Sequence, residues 1–172
     1  MKYCTSIVIA VGLMLVAVVG ASAQDWVKIA PAGQGFEVMM PGTVEPSIET
    51  KAGPEGPVTT TLYILRAPTG VFLVGYADYD PKFNFDIRAE INANRDNFMK
   101  SFKDGKILGE KERSVGGGPG IEFTADLNAT TFMTSRVFVI GRRPYQLAFI
   151  SAKGSDQADA AKFFDSFKVV KK

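Results

Sequence analysis

Residues 117–153, GGPGIEFTADLNATTFMTSRVFVIGRRPYQLAFISAK, constrain the rest of the chain most, because they read as three consecutive strands. Ile121, Phe123, Ala125 and Leu127 alternate with Glu122, Thr124, Asp126 and Asn128, the period of two expected of a half-buried strand. Residues 131–140 and 145–151 are rich in β-branched and aromatic side chains. Gly141-Arg142-Arg143-Pro144 joins them as a short link with turn residues at both ends. The Gly-rich run Gly116-Gly117-Gly118-Pro119-Gly120 punctuates the start. This is an antiparallel meander, and the helices on either side of it need such a surface to pack on.

The chain has 172 residues, enough for one domain. Apolar residues make up 46% and charged residues 22%, which predicts a buried core rather than disorder. A net charge of +2 provides no strong field for nucleic acid or an anionic membrane.

The N-terminus points to a compartment. Lys2 gives a positive start, Ile7 to Val19 is an apolar run, and Ala21-Ser22-Ala23 is an A-x-A cleavage pattern. Together they predict a secretory signal peptide over residues 1–23, with cleavage after Ala23. Thirteen apolar residues fall short of the ~20 a spanning helix needs, so no stable membrane span is expected after cleavage. The expected location is the periplasm or the extracellular space. Residues 24–172 would form a single domain with no cysteine, because Cys4 is the chain's one cysteine. Its stability must then come from packing without disulfides.

Ahead of the meander, residues 25–31 are a short extended opening, and residues 35–40 are a strand stopped by Pro41-Gly42. Residues 43–57 carry Pro46, Pro54, Pro57, Gly53 and Gly56 with little apolar content and read as an exposed, mobile loop. Residues 58–67 and 71–78 form a hairpin across Pro68-Thr69-Gly70. Ile87, Ile91, Phe98 and Phe102 then fall at helical spacing, with Asn94 on the same stripe. Asn84 or Asp86 is the expected cap and Gly105 the expected stop. Residues 106–114 are one more strand. Ser155 is the expected cap of a final helix whose stripe is Ala160, Phe163, Phe164 and Phe167, and Lys171-Lys172 is a solvated tail. Strands outnumber helices and hairpin links outnumber crossovers. The fold class is therefore α+β, a layered domain whose mainly antiparallel sheet is covered by helices.

What is absent bears most on chemistry. With no histidine anywhere, Ser-His-Asp and Cys-His nucleophilic systems are excluded. Zinc sites of the usual kinds lack their ligands. Asp78 and Asp80 offer two carboxylates at a strand end, too few for a calcium site, and read better as a strand end and a turn before Pro81. The glycine run lacks the Lys and Ser/Thr of a phosphate loop and precedes a strand, so it reads as a sharp turn. Arg136 is placed to pair with Glu122 or Asp126 across the sheet, while Arg142 and Arg143 read as solvated turn residues. Tyr76, Tyr79, Phe83 and Phe85 gather at one strand-to-helix junction, where a pocket lip and ordinary core packing use the same residue types. The candidate ligand-binding residues are Tyr76, Asp78, Tyr79, Phe85 and Arg136. No catalytic residue, metal ligand or cofactor is expected. Asn128-Ala129-Thr130 is a glycosylation sequon, of consequence only in a eukaryotic secretory pathway.

Several stretches together resemble a known family. They are Trp26 with residues 35–42 (GFEVMMPG), Tyr76-Ala77-Asp78, Arg95-Asp96, Pro119-Gly120-Ile121-Glu122-Phe123, Arg136, Arg143-Pro144-Tyr145-Gln146-Leu147 and Phe163-Phe164-Asp165-Ser166-Phe167. They look like bacterial exported domains of unknown function that resemble the fold of PsbP, the extrinsic protein P of photosystem II. The resemblance covers nearly all of the mature chain and implies an α/β/α sandwich around an antiparallel sheet. It also implies accessory or assembly roles, mostly without catalysis. Its motifs are turn and core residues, which carry architecture and not activity. No manganese or calcium site of PsbP maps onto this chain residue by residue.

The leading expectation is a non-enzymatic exported accessory domain that binds a protein partner in the cell envelope. A small-molecule or lipid carrier, with an aromatic-lined pocket between helix and sheet, is the alternative. A carboxylate-dependent hydrolase using Asp78, Asp80 or Glu122 is the third reading.

Overall fold

The meander residues do pair as three neighbouring strands, and four more strands extend their sheet. The computed structural model describes residues 25–170. The expected signal peptide and the Lys171-Lys172 tail lie outside the described residues. In chain order the elements are β1 (Val27–Ile29), β2 (Phe36–Met40), β3 (Ser47–Gly53), β4 (Gly56–Ala67), β5 (Gly70–Tyr79) and α1 (Ile87–Lys100). They continue with β6 (Lys106–Glu112), β7 (Gly120–Asp126), β8 (Thr131–Ile140), β9 (Arg143–Ala152), α2 (Ala158–Ser166) and β10 (Lys168–Val169).

The main sheet has the order β3-β4-β5-β9-β8-β7-β6, and every neighbouring pair is antiparallel. A second sheet, β1-β2-β10, is small. Period-two alternation splits the main sheet into two buried faces. On one face Tyr63, Phe72, Val74, Tyr76, Phe138, Tyr145, Leu147 and Phe149 meet Phe36, Val38 and Met40 of β2 and Ala160, Phe163, Phe164 and Phe167 at α2. On the other, Leu73, Ile121, Phe123, Ala125, Met133, Val137, Ala148 and Ile150 meet Ile91 and Phe98 of α1. The result is an α+β sandwich: α1, the seven-stranded sheet, then α2 with the small sheet.

Four local expectations are corrected. Residues 43–57 are not a loop throughout, because Ser47–Gly53 forms edge strand β3 and turns through Pro54-Glu55 into β4. Its residues are exposed on both faces, so no apolar alternation marks them in the sequence. Arg143 and Pro144 belong to β9 rather than to the link before it. Asp86, one of the two expected caps, does cap α1, its Oδ1 accepting the Ala89 N–H at 2.8 Å, but the helix ends at Lys100, short of Gly105. Ser155 does not cap α2. Gln157 holds the cap position without a side-chain bond to the helix, and the Ser155 hydroxyl donates back to the Ala152 carbonyl at 2.8 Å.

Candidate functional site

The five candidate residues separate according to the sheet's pleat. Tyr76 and Tyr79 are three positions apart on β5, and an odd spacing in a strand sends side chains to opposite faces. They do not share a pocket lip.

Tyr76 and Asp78 lie on the α2 face with Arg143. Asp78 accepts a bidentate bond from Arg143, at 2.7 Å to Oδ1 and 2.9 Å to Oδ2. The same guanidinium donates to the Gln34 carbonyl at 2.8 Å and stands 4.6 Å over the Tyr76 ring. Burial opposes the charge on Arg143, but hydrogen bonds with Asp78 and Tyr145 outweigh it and hold the guanidinium above its ordinary value. Burial likewise pushes the Tyr145 phenol up. Arg143 is thus a clamp across β9, β5 and the loop before β2, and not the solvated turn residue expected from the sequence. Asp80 is turned into its own loop, where Oδ1 accepts the Lys82 N–H at 2.8 Å.

Tyr79 and Phe85 lie on the α1 face. Tyr79 packs at 4.5 Å on Phe83 and 5.6 Å on Phe85, and Arg142 reaches over Phe85 at 5.4 Å while donating to the Phe83 carbonyl at 2.7 Å. The Tyr79 hydroxyl donates to Glu90 Oε2 at 2.7 Å. Glu90, one turn into α1, is only 3% exposed. Burial raises its carboxyl above the ordinary carboxylate range, with the Tyr79 bond opposing and the nearby Asp86 charge adding to the rise.

The sign of the resulting pH dependence follows. A carboxyl whose folded pKa is raised costs the fold nothing below its unfolded value, and stability is lost as pH rises from there through the folded pKa. Glu90→Gln keeps an acceptor for Tyr79 and removes that cost. It should therefore melt a few degrees higher than the parent at neutral pH, the two converging below about pH 4. Thermal melts across pH check this.

Arg136 stands apart from both groups, two strands from β5. It faces Glu122 in register and donates to it at 2.7 Å, as the cross-strand reading expected. It also donates to the Phe164 carbonyl at 3.1 Å and lies 4.6 Å over the Phe164 ring, tying α2 to the sheet. Lys111 and Arg113 approach the same carboxylate at 2.8 and 3.3 Å. Burial alone would raise the Glu122 pKa, yet bonds from Lys111 and Arg136 and the charges of Arg136 and Arg113 bring it below the usual carboxylate range. Its stabilising contribution is therefore present at neutral pH and lost on acidification through that lowered value.

Sequence reasoning missed a polar seam under α1. Gln146 donates to the Ser135 hydroxyl at 3.2 Å, which donates to the Leu147 carbonyl at 3.0 Å, and Asn94 donates to the Glu90 carbonyl at 2.8 Å. The Gln146, Ser135 and Asn94 side chains are all buried. Asn94 interrupting the apolar stripe of α1 was the available signal. A crevice here, bordered by Thr60, Gly75, Asn94 and Gln146, encloses about 10 Å³, room for one water. Small-molecule pockets run to several hundred Å³. Among the described residues no group of three or more acidic side chains converges as a metal site would require.

No protein-family model matches the chain, and no curated protein matches it in sequence. Solved structures do. Cyanobacterial PsbP (CyanoP) from Synechocystis sp. PCC 6803 superposes with a TM-score of 0.55 at 15% identity, over 90% of this chain and 98% of that one. A protein from Bacteroides thetaiotaomicron VPI-5482 gives 0.44 at 14% identity, over 84% of this chain and 48% of that one. LpqN of Mycobacterium tuberculosis, described as involved in cell envelope biogenesis, gives 0.45 at 10% identity, over 88% and 87%. The last two are too distant to carry an argument. The first matches nearly the whole of its counterpart and most of this chain in one superposition: this chain has a PsbP-like α+β fold.

Proposed function

We propose that this protein is a non-enzymatic, exported accessory domain that binds a protein partner in the cell envelope. The observation that carries this reading is the deployment of its carboxylates. Asp78 is clamped by Arg143, Glu122 is enclosed by Lys111, Arg113 and Arg136, and Asp80 closes its own turn. Each holds the fold together, and none stands paired with a second carboxyl in a cleft as acid–base hydrolysis would need. The three-part pattern of residues 1–23 supports export. No helix among the described residues is long and apolar enough to cross a membrane. The PsbP-like fold is consistent with an accessory role, though fold alone does not fix function.

The test is reciprocal co-purification from the envelope fraction of the native host. The expected result is one protein recovered with this chain, which in turn recovers this chain when it is the bait. Failure of both directions, with a known envelope pair recovered in parallel, would remove the reading.

A further inference from the structure

The two edges of the main sheet are built differently. Edge β6 is guarded: its register slips between Ile107 and Gly109, and it is strapped to α1 by Arg95–Glu110 at 2.6 Å and Arg88–Glu112 at 3.1 Å. Edge β3 has neither a register slip nor an ion pair to a helix, and its own Glu49 and Lys51 pair with each other at 3.1 Å on an exposed face. It is seven residues long, pairs in unbroken register with β4, contains no proline, and leaves Ile48 64% exposed. It is also held firmly in place. Glu55 in its turn accepts the Asn84 N–H at 2.8 Å, and Pro57 accepts the Asp80 N–H at 3.2 Å.

That last bond fixes which groups of β3 face outward. Pro57 has no N–H and turns its carbonyl toward the β5 side, so its cross-strand partner Ala52 directs its own N–H and C=O to the open edge. Alternation then sends those of Thr50 and Ile48 the same way.

We infer that the open edge of β3 pairs with β3 of a second copy, antiparallel about a two-fold axis at Thr50, joining two main sheets into one. In this register the outward groups of Ile48, Thr50 and Ala52 meet those of Ala52, Thr50 and Ile48 of the second copy, completing about six backbone hydrogen bonds. Glu49 falls opposite Lys51 of the second copy, and Lys51 opposite its Glu49, on the same face. Exposed Ile48 meets Ala52 on the other face. Sliding the strands by two residues either way places Glu49 on Glu49 or Lys51 on Lys51, so charge selects the single self-complementary register. The contact is small, which makes the dimer reversible and dependent on concentration. This inference is independent of the hetero-partner proposed above.

Sedimentation velocity of the mature chain over a range of concentrations tests it. A reversible shift from monomer to dimer is expected. Thr50→Pro removes an outward N–H, which an edge strand tolerates, together with the exposed hydroxyl contact to Thr59 at 2.9 Å, and should leave the melt near that of the parent while abolishing the dimer. Glu49→Lys and Lys51→Glu should each weaken self-association at least about tenfold, since like charges then oppose at both pairs. The two variants mixed together should form a heterodimer, and the double exchange in one chain should restore the homodimer. A monomer at every concentration would overturn the inference. So would a dimer indifferent to Thr50→Pro, or an edge filled instead by a strand from another protein.

Discussion

Phe36→Ala should be among the most damaging single changes in this protein, lowering stability by about 4 kcal/mol and the melting temperature by roughly 12 to 15 °C. Phe36 is 1% exposed at the start of β2. Its ring packs against Tyr63, Tyr76 and Tyr145 of the main sheet at 6.2, 5.7 and 6.0 Å and stacks on Phe167 after α2 at 5.8 Å. Four aromatic partners from four segments converge on this one side chain. Truncation opens a cavity none of them can fill, because each ring has its own neighbours. The small sheet joins the main sheet through this cluster, so β1, β2 and β10 should lose amide protection first. Phe36→Leu, which keeps most of the volume, should recover more than half of the loss. Differential scanning calorimetry with hydrogen exchange reads both effects.

Gly118→Ala should cost about 3 kcal/mol, or roughly 10 °C in melting temperature, even though it adds one methyl group. Val115 and Gly118 exchange backbone bonds at 3.0 and 2.9 Å around a tight turn. Gly116 and Gly117 take φ of +59° and +82° in it, a left-handed pair that glycine adopts without strain. At Gly118 the requirement is close approach rather than φ. A Cβ there would collide with the Val139 carbonyl oxygen, and backbone cannot swing aside as a side-chain tip can. Gly117→Ala is the matched control. Its added Cβ meets nothing within 4 Å, so only the φ strain of about 1 kcal/mol should register. Equal losses from the two variants would refute the close-approach account.

The glycine run illustrates what was legible in the sequence. Its turn character followed from composition, but the packing of Gly118 and Gly120 against β8 did not, since that depends on a strand twenty residues further on. The meander, the hairpin of residues 58–78 and both helices could be read because each buries apolar side chains, shown by alternation in residues 121–127, by β-branched and aromatic density in the other strands and by helical spacing in α1 and α2. Strand β3 could not. It is exposed on both faces, and its Pro and Gly neighbours imitate a loop. Arg136 was read correctly because its partner Glu122 lies on the adjoining strand, fourteen residues away. Arg143 was not, because Asp78 lies sixty-five residues away and meets it only once β5 and β9 pair. The candidate cluster split for a simpler reason: Tyr76 and Tyr79 are an odd number of residues apart on one strand, and that parity was visible from the start.

Native mass spectrometry of the protein purified from the exported fraction of its own host tests the central claim most directly. The expected species is a chain beginning at Gln24, part of it in a complex of defined mass with a different protein. A chain that keeps residues 1–23 and is found inside the cell would contradict export. A mature chain carrying a small molecule and no protein partner would contradict the accessory role and return the carrier in its place.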